Sequence, residues 1–133
     1  MSSDHYLEDR AEKRIILLMT SGPSTPHRCA TPFYLGSVLA SMDNEVSIFF
    51  TMEGVKLMER GVPEELAPME GGKKIIEFIR DSKRVGVRLH VCKPALPGYR
   101  IEADEDLIDE VDEVLGAGGL ADQILNCDHV ITF

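Results

Sequence analysis

Cys92 ends an apolar, β-branched run within the stretch Val87–Ile101, VRLHVCKPALPGYRI. A parallel strand that stops at this residue would present the thiol at the carboxyl edge of a sheet, where open α/β sheets bind ligands. Lys93 follows directly, and a cation beside a thiol favours the thiolate, which is the nucleophilic form of cysteine. The sequence therefore predicts a nucleophilic thiol at Cys92, whose chemistry needs no metal and no organic cofactor.

The other two cysteines fall at different places in the same pattern. Cys29 follows the first predicted strand, so it is also expected at the carboxyl edge, where it could assist Cys92. Cys127 precedes the last predicted strand, so it is expected at the opposite edge as a buried, inert hydrophobe. His90 lies two residues before Cys92 and leaves the same face of the strand. It could serve as a base, although a histidine that is satisfied within its strand is the simpler alternative.

Two further loops are predicted to reach the carboxyl edge. Ser21 and Gly22 open the loop TSGPSTPHRC after the first strand, which could hold an anion through its backbone N–H groups. This loop lacks both the Gly-x-x-x-x-Gly-Lys and the G-x-G-x-x-G pattern, so the signal for a nucleotide is weak. Glu53 follows the second strand and is expected to face the same cleft.

Short apolar runs alternate with helical patterns along the chain. This alternation is typical of βαβ units and predicts a parallel sheet that is covered by helices on both faces. Helices are predicted at 54–60, 73–83, 104–108 and 119–126, and a further one through 33–42 that starts at Thr25 or at Thr31. Strands are predicted at 14–21, 45–51, 87–92, 111–115 and 128–133, with a buried set of Ile16, Leu18, Ile48, Phe50, Leu89, Val91, Val130 and Ile131.

Length and composition indicate one globular domain. The 133 residues divide into a polar lead-in at 1–13 and a single domain at 14–133, with a net charge of −9 that disfavours nucleic acid as a partner. No run approaches the ~20 apolar residues that span a bilayer, so no membrane association is expected. Three scattered cysteines, an odd number, favour a reducing, cytoplasmic compartment over a disulfide scaffold, and no metal-ligand spacing is present.

Four segments, in order, resemble the DsrE/DsrF-like sulfur-relay family, which includes the TusD-type sulfur carriers. They are IILLMTSGP, VSIFFTMEGVKLM, VCKPAL and the ending VLGAGGLADQILNCDHVITF. The resemblance covers about Ile15 to Phe133. It implies a three-layer α/β/α fold with a five-stranded parallel sheet in the order 4-3-2-1-5. It also implies a homotrimer or homohexamer, and a cysteine after the third strand, here Cys92, that carries sulfur to and from partner proteins such as TusA-like carriers. Cys29 matches no family motif.

Three hypotheses about function follow. In the first, the protein is a sulfur carrier or sulfurtransferase that passes sulfane sulfur, as a persulfide or thiosulfonate, through Cys92 to a partner; whether it acts as an enzyme stays open. In the second, it is a non-catalytic subunit that binds a small anion or regulates a partner. In the third and weakest, it reduces peroxides, which would require Cys29 as the resolving thiol for Cys92.

Overall fold

The computed structural model describes residues 11–133, and these form one parallel sheet with helices on both faces. The strand order is β4-β3-β2-β1-β5. This confirms the predicted three-layer α/β/α class and the order 4-3-2-1-5. Most of the predicted lead-in, residues 1–13, lies outside the described part of the chain. The strands are β1 (Arg14–Met19), β2 (Glu45–Phe50), β3 (Arg88–Cys92), β4 (Glu113–Leu115) and β5 (His129–Thr132).

Four helices and four 3-10 segments connect the strands. The helices are α1 (Thr31–Ser41), α2 (Val62–Glu65), α3 (Ile75–Arg84) and α4 (Ala117–Leu125), and the 3-10 segments are Pro26–Arg28, Met52–Met58, Lys93–Ala95 and Pro97–Tyr99. Helices α1 and α3 contact each other on one face of the sheet. Helix α4 faces the other side, where its residues and those of the sheet enclose a cavity. No helix within residues 11–133 is long and apolar enough to cross a bilayer.

The main core lies between the sheet and the α1/α3 layer. Leu17, Ile48 and Val91 point into it from three adjacent strands, and each is completely buried. The rings of Phe33, from α1, and Phe50, from β2, stack with centroids 5.8 Å apart. Gly36 lets α1 approach the sheet closely, because a Cβ there would lie 3.3 Å from the Leu17 side chain. This layer is what fixes the strands that carry the candidate site.

The opposite face of the sheet is covered much less completely. No residue of α4 is fully buried, and every residue of β5 is exposed. The prediction that Val130 and Ile131 are buried is therefore wrong, since they are 43% and 37% exposed. The reason is that β5 is an edge strand that pairs only with β1. Leu18 is half-buried, and the other five residues of the predicted buried set are buried.

The structure selects one of the two predicted starts of helix α1, forms a 3-10 segment where a helix is predicted at 54–60, and lacks one predicted helix. Helix α1 begins at Thr31 rather than at Thr25, and Pro32 occupies its first turn, where a missing N–H costs no hydrogen bond. The predicted helix at 104–108 is absent. Its backbone is used in tertiary contacts instead: the Asp106 carbonyl accepts a bond from Arg60 N–H, and Ile108 N–H donates to Met58.

The acidic stretch 102–113 is fastened to the fold by basic side chains from other elements. The ion pairs are Asp109 with Arg60, Glu110 with Arg80, Asp112 with Lys83 and Glu113 with Arg88. Partial burial alone would raise the pKa of Asp112. Hydrogen bonds from the Lys83 ammonium and from Leu89 N–H outweigh that effect, so the pKa of Asp112 lies below its usual range. These contacts hold β4 beside β3.

Candidate functional site

Cys92 is the last residue of β3 and lies at the carboxyl edge of the sheet, as the sequence predicts. Its thiol is free and half-buried. Across the ladder it is paired with Leu115, the last residue of β4. The thiol is thus held by the end of the sheet, with one side against the core and part of its surface open to solvent.

The loop after Cys92 is rigidly anchored. Two short 3-10 turns, Lys93–Ala95 and Pro97–Tyr99, follow each other, and the buried side chains of Leu96 and Ile101 tie them to the core. Ile101 N–H donates back to the Leu96 carbonyl over 3.1 Å. Arg100 takes the left-handed conformation, with φ of 58°, and closes the second turn. The loop therefore keeps the Cys92 backbone in a fixed position.

Two basic residues follow Cys92 along this loop. Lys93 and Arg100 are both exposed. Neither forms an ion pair with any other residue of the described segment 11–133. Lys93, the residue that follows Cys92 in the chain, therefore adds an exposed cation at this edge of the sheet, even though the whole chain is strongly acidic.

The first turn of α4 also begins next to Cys92. Gly116 directly follows Leu115, the ladder partner of Cys92, and the first helical hydrogen bond runs from Leu120 N–H to the Gly116 carbonyl. The N–H groups of residues 117–119 therefore have no intrahelical acceptor. A Cβ at Gly116 or Gly118 would meet nothing within 4 Å, so this turn is open. The predicted start of this helix, at residue 119, is two residues late, because glycines lower helix propensity.

His90 lies on the Cys92 side of β3 but is almost completely buried. Its side chain is 2% exposed and packs against the Phe49 ring, with centroids 6.2 Å apart. Burial lowers the pKa of His90, which keeps the imidazole neutral near pH 7. Within residues 11–133, no hydrogen bond joins it to Cys92, and its nearest charged neighbour is Glu113, at 3.6 Å. Its role as a base for Cys92 stays a prediction.

Cys29 is sealed inside the loop after β1. Its exposure is 0%, and the thiol donates to the carbonyls of Gly22 and Thr25 at 3.3 and 3.5 Å. Burial, helped by the nearby charge of Glu53, raises the pKa of Cys29 to about 11. A buried, protonated thiol is poorly suited to attack or resolve a neighbouring sulfur. This arrangement disfavours the peroxidase hypothesis, which requires Cys29 as a resolving thiol.

We expect native-state alkylation to distinguish Cys29 from the other two thiols. At pH 8 a thiol whose pKa is about 11 forms roughly 200-fold less thiolate than one with the ordinary value near 8.5. Iodoacetamide should therefore label two thiols quickly and Cys29 only after denaturation. Peptide mapping by mass spectrometry checks this result. Rapid native labelling of Cys29, at the rate measured for Cys127, would contradict the buried placement.

Because of this pKa shift, the stability of the folded state depends on pH in the alkaline range. The unfolded chain releases the Cys29 proton near pH 8.5, whereas the folded chain keeps it up to about pH 11. Between these values the folded state binds more protons, so its stability falls as the pH rises.

Glu53 joins the loops after β1 and β2 rather than pointing into an open cleft. Its carboxylate accepts hydrogen bonds from the Ser24 N–H, at 3.0 Å, and from the Ser24 hydroxyl, at 2.5 Å. Gly22 is buried, and a Cβ there would lie 2.4 Å from the Glu53 carbonyl oxygen. Part of the predicted anion-binding loop that begins at Ser21 is thus occupied by the chain's own carboxylate. The role of Ser24 is not evident from the sequence, because its contact with Glu53 joins residues 29 positions apart.

Cys127 precedes β5, at the amino-terminal edge of the sheet, as expected from its place in the sequence. The prediction that it is buried is wrong, because it is half-exposed. Its thiol donates to the Ile124 carbonyl at 3.2 Å and lines the cavity beneath α4. The reason for the difference is the thin cover on this face of the sheet. Within residues 11–133, no cluster of three or more metal-ligating side chains is present.

Comparison with known proteins agrees with this architecture. The ychN protein from E. coli is 24% identical, with a TM-score of 0.64 over 92% of this chain and 100% of its own. MTH1491 from Methanobacterium thermoautotrophicum, a protein of unknown function, is 16% identical, with a TM-score of 0.59 over the same shares. No curated protein matches the chain. The DsrE/DsrF-like family profile matches residues 13–133, so the chain belongs to the DsrE/DsrF-like family, which is generally linked to sulfur relay.

Proposed function

We propose that the protein is a sulfur carrier or sulfurtransferase in which Cys92 accepts a sulfane sulfur and passes it to a partner protein. The observation that carries the proposal is the placement of a free, half-buried thiol at the carboxyl edge of the sheet, on an anchored loop. Membership of a family linked to sulfur relay supports the same chemistry.

The surroundings of Cys92 suit a negatively charged sulfur adduct. Lys93, which follows Cys92 in the chain, adds an exposed cation at the edge of the sheet that carries this thiol. The free N–H groups at the start of α4 add the positive end of a helix dipole beside the Cys92–Leu115 pair. Both features stabilise an anionic adduct more than a neutral thiol.

The transfer itself requires only sulfur chemistry. The Cys92 thiolate attacks a sulfane sulfur, and the bond between that sulfur and the rest of the donor breaks. A persulfide donor R–S–SH leaves as the thiol R–SH, and Cys92 becomes Cys–S–SH. With tetrathionate, thiosulfate leaves and Cys92 becomes Cys–S–S–SO₃⁻. A cysteine of an acceptor protein, of the TusA-like kind, then attacks the sulfane sulfur that is bonded to Cys92 Sγ, and the Cys92 thiolate leaves.

Intact-mass measurement after exposure to these donors tests the proposal. Sulfur uptake that depends on Cys92 supports a carrier or transferase. Absence of uptake from every sulfane donor would favour the alternative, a non-catalytic subunit that binds a small anion or regulates a partner.

We also propose that the chain assembles as a homotrimer or homohexamer, on the basis of its family. The exposed apolar residues of β5 and α4 supply a surface for such contacts: Ile124, Leu125, Val130 and Ile131. Light scattering at micromolar concentration should give a mass of three or six times 14.8 kDa. A mass of one chain would contradict this part of the proposal and leave the Cys92 chemistry unaffected.

A further inference from the structure

A polar cavity lies on the α4 face of the sheet, away from the carboxyl edge that carries Cys92. Its volume is about 310 Å³, at the lower end of the range for small-molecule pockets. The floor is formed by the first halves of β1, β2 and β3, and one wall by the second half of α4. The charged side chains of its lining are Arg14, Arg88, Glu45, Glu113 and Asp122, and His90 lies among them.

His90 gives this cavity an unsatisfied polar group. The side chain is 2% exposed, and its Nδ1 has no hydrogen-bond partner within residues 11–133. A buried polar atom without a partner is costly, and such atoms are uncommon in folded proteins. The nearest acceptor is Glu113 Oε1, at 3.6 Å, beyond hydrogen-bond distance. A small movement of Glu113 toward Nδ1 would satisfy the histidine.

Glu113 is also only loosely held on its other side. Its Oε1 lies 3.9 Å from Arg88 Nη2, and its side chain is 47% exposed. It therefore stands between a guanidinium and an imidazole without a hydrogen bond to either. Arg14 binds Glu45 through Nε at 3.0 Å, and within residues 11–133 its terminal nitrogens form no other ion pair.

The lining of the cavity carries charges of both signs. Arg14 and Arg88 lie among three carboxylates, those of Glu45, Glu113 and Asp122, and burial lowers the pKa of His90, so it stays neutral. Such a cavity offers donors for a carboxylate and acceptors for an ammonium group, so a ligand that carries both charges can pair with both sets. Ser47 and Gln123 add neutral donors and acceptors to the lining.

We propose that this cavity binds a small zwitterion of the α-amino acid class, at a site separate from Cys92. The ligand carboxylate accepts from the guanidiniums of Arg14 and Arg88. The ligand ammonium donates to Glu113, which shifts and accepts from His90 Nδ1 on its other side. Each charged group of the ligand thus gains a charge-assisted hydrogen bond, and His90 Nδ1 gains a hydrogen-bond partner at the same time.

Cys127 provides a built-in reporter, because its half-exposed thiol lines the same cavity. In the Cys92→Ser variant, iodoacetamide labels Cys127 alone in the native state. We expect L-alanine, L-serine or L-methionine at about 10 mM, a range suited to weak sites, to slow this labelling at least about fivefold. Their N-acetyl and amide derivatives, which each lack one charge, should not protect. The use of Cys92→Ser keeps this result independent of sulfur transfer.

Variants of the cavity complete the test. Glu113→Gln should raise the amino-acid concentration that gives half-maximal protection about tenfold or more, the usual effect of losing one charge-assisted hydrogen bond. Asp104→Asn, an exposed acid outside the cavity, should leave protection unchanged. Three outcomes overturn the proposal: no protection by any of the three amino acids, equal protection by the acetylated or amide compounds, and full protection in folded Glu113→Gln.

Discussion

Cys92→Ser will abolish the sulfur adduct that we expect sulfane donors to form at position 92 of the wild-type chain. The wild-type mass should rise by about 32 Da with a persulfide donor and by about 112 Da with tetrathionate, by atomic arithmetic on the two adducts. The serine hydroxyl at position 92 is not ionised at neutral pH and forms no persulfide, so the adduct at this position is lost completely rather than reduced. Intact-mass spectrometry followed by peptide mapping measures both the gain and its site.

The other two cysteines provide matched controls. Cys29 is fully buried and its pKa is raised to about 11, so Cys29→Ala should take up sulfur as the wild type does. Cys127 is half-exposed and some direct modification by excess tetrathionate is expected there. Only the adduct at Cys92 should then transfer to an acceptor thiol at a rate that depends on Lys93. A Cys92→Ser variant that delivers sulfur as fast as the wild type would overturn the assignment.

Substitution of Lys93, the residue next to Cys92, tests how much the positive charge contributes to the reaction of this thiol. Lys93→Gln should slow the reaction of Cys92 with the dianion tetrathionate more than its reaction with neutral iodoacetamide, because the exposed ammonium attracts only the charged reagent. A purely structural role for Lys93 would change both rates together.

The strands and the place of Cys92 could be predicted because they depend on local patterns. A buried parallel strand is a short apolar run, and the rule that ligands bind at carboxyl ends of strands sorts the cysteines by position alone. The order of the strands came only from the resemblance to a family, since a pattern of alternating strands and helices is compatible with several orders.

What could not be predicted depends on contacts between distant parts of the chain. The apolar run at the end of the chain predicts that Val130 is buried. It is 43% exposed because β5 lies at the edge of the sheet. The sequence predicts that Glu53 faces the cleft, but in the structure its carboxylate binds Ser24 of another loop. The cavity beside His90 exists because α4 covers its face of the sheet incompletely, which no periodicity in the sequence indicates.

The two loops that Glu53 joins also meet at a close backbone contact, which leads to the second large expected effect. Gly54 is buried after β2, and a Cβ at this position would lie 2.3 Å from the Met19 carbonyl oxygen and 3.1 Å from its carbon. The same carbonyl accepts a hydrogen bond from Thr51 N–H at 3.0 Å. Both sides of the contact are backbone at the end of the central strands, so neither can rotate away.

Gly54→Ala should therefore separate the end of β1 from the segment Met52–Met58. Overpacking at such a site costs about 2–3 kcal/mol or more of the free energy of unfolding. For a chain of 133 residues this corresponds to a fall in Tm of roughly 10 °C. Thermal unfolding followed by circular dichroism measures the change.

Gly98→Ala is the matched control for this substitution. Gly98 also lies in a loop at the carboxyl edge, but a Cβ there would meet nothing within 4 Å, and its φ lies outside the left-handed range. Its Tm should stay within about 2 °C of the wild type, as for most substitutions at open sites. A methyl group at position 54 would lie 2.3 Å from the Met19 carbonyl oxygen, so it must displace that oxygen. A Gly54→Ala variant that unfolds at the same temperature as Gly98→Ala would therefore contradict the close contact between Gly54 and Met19.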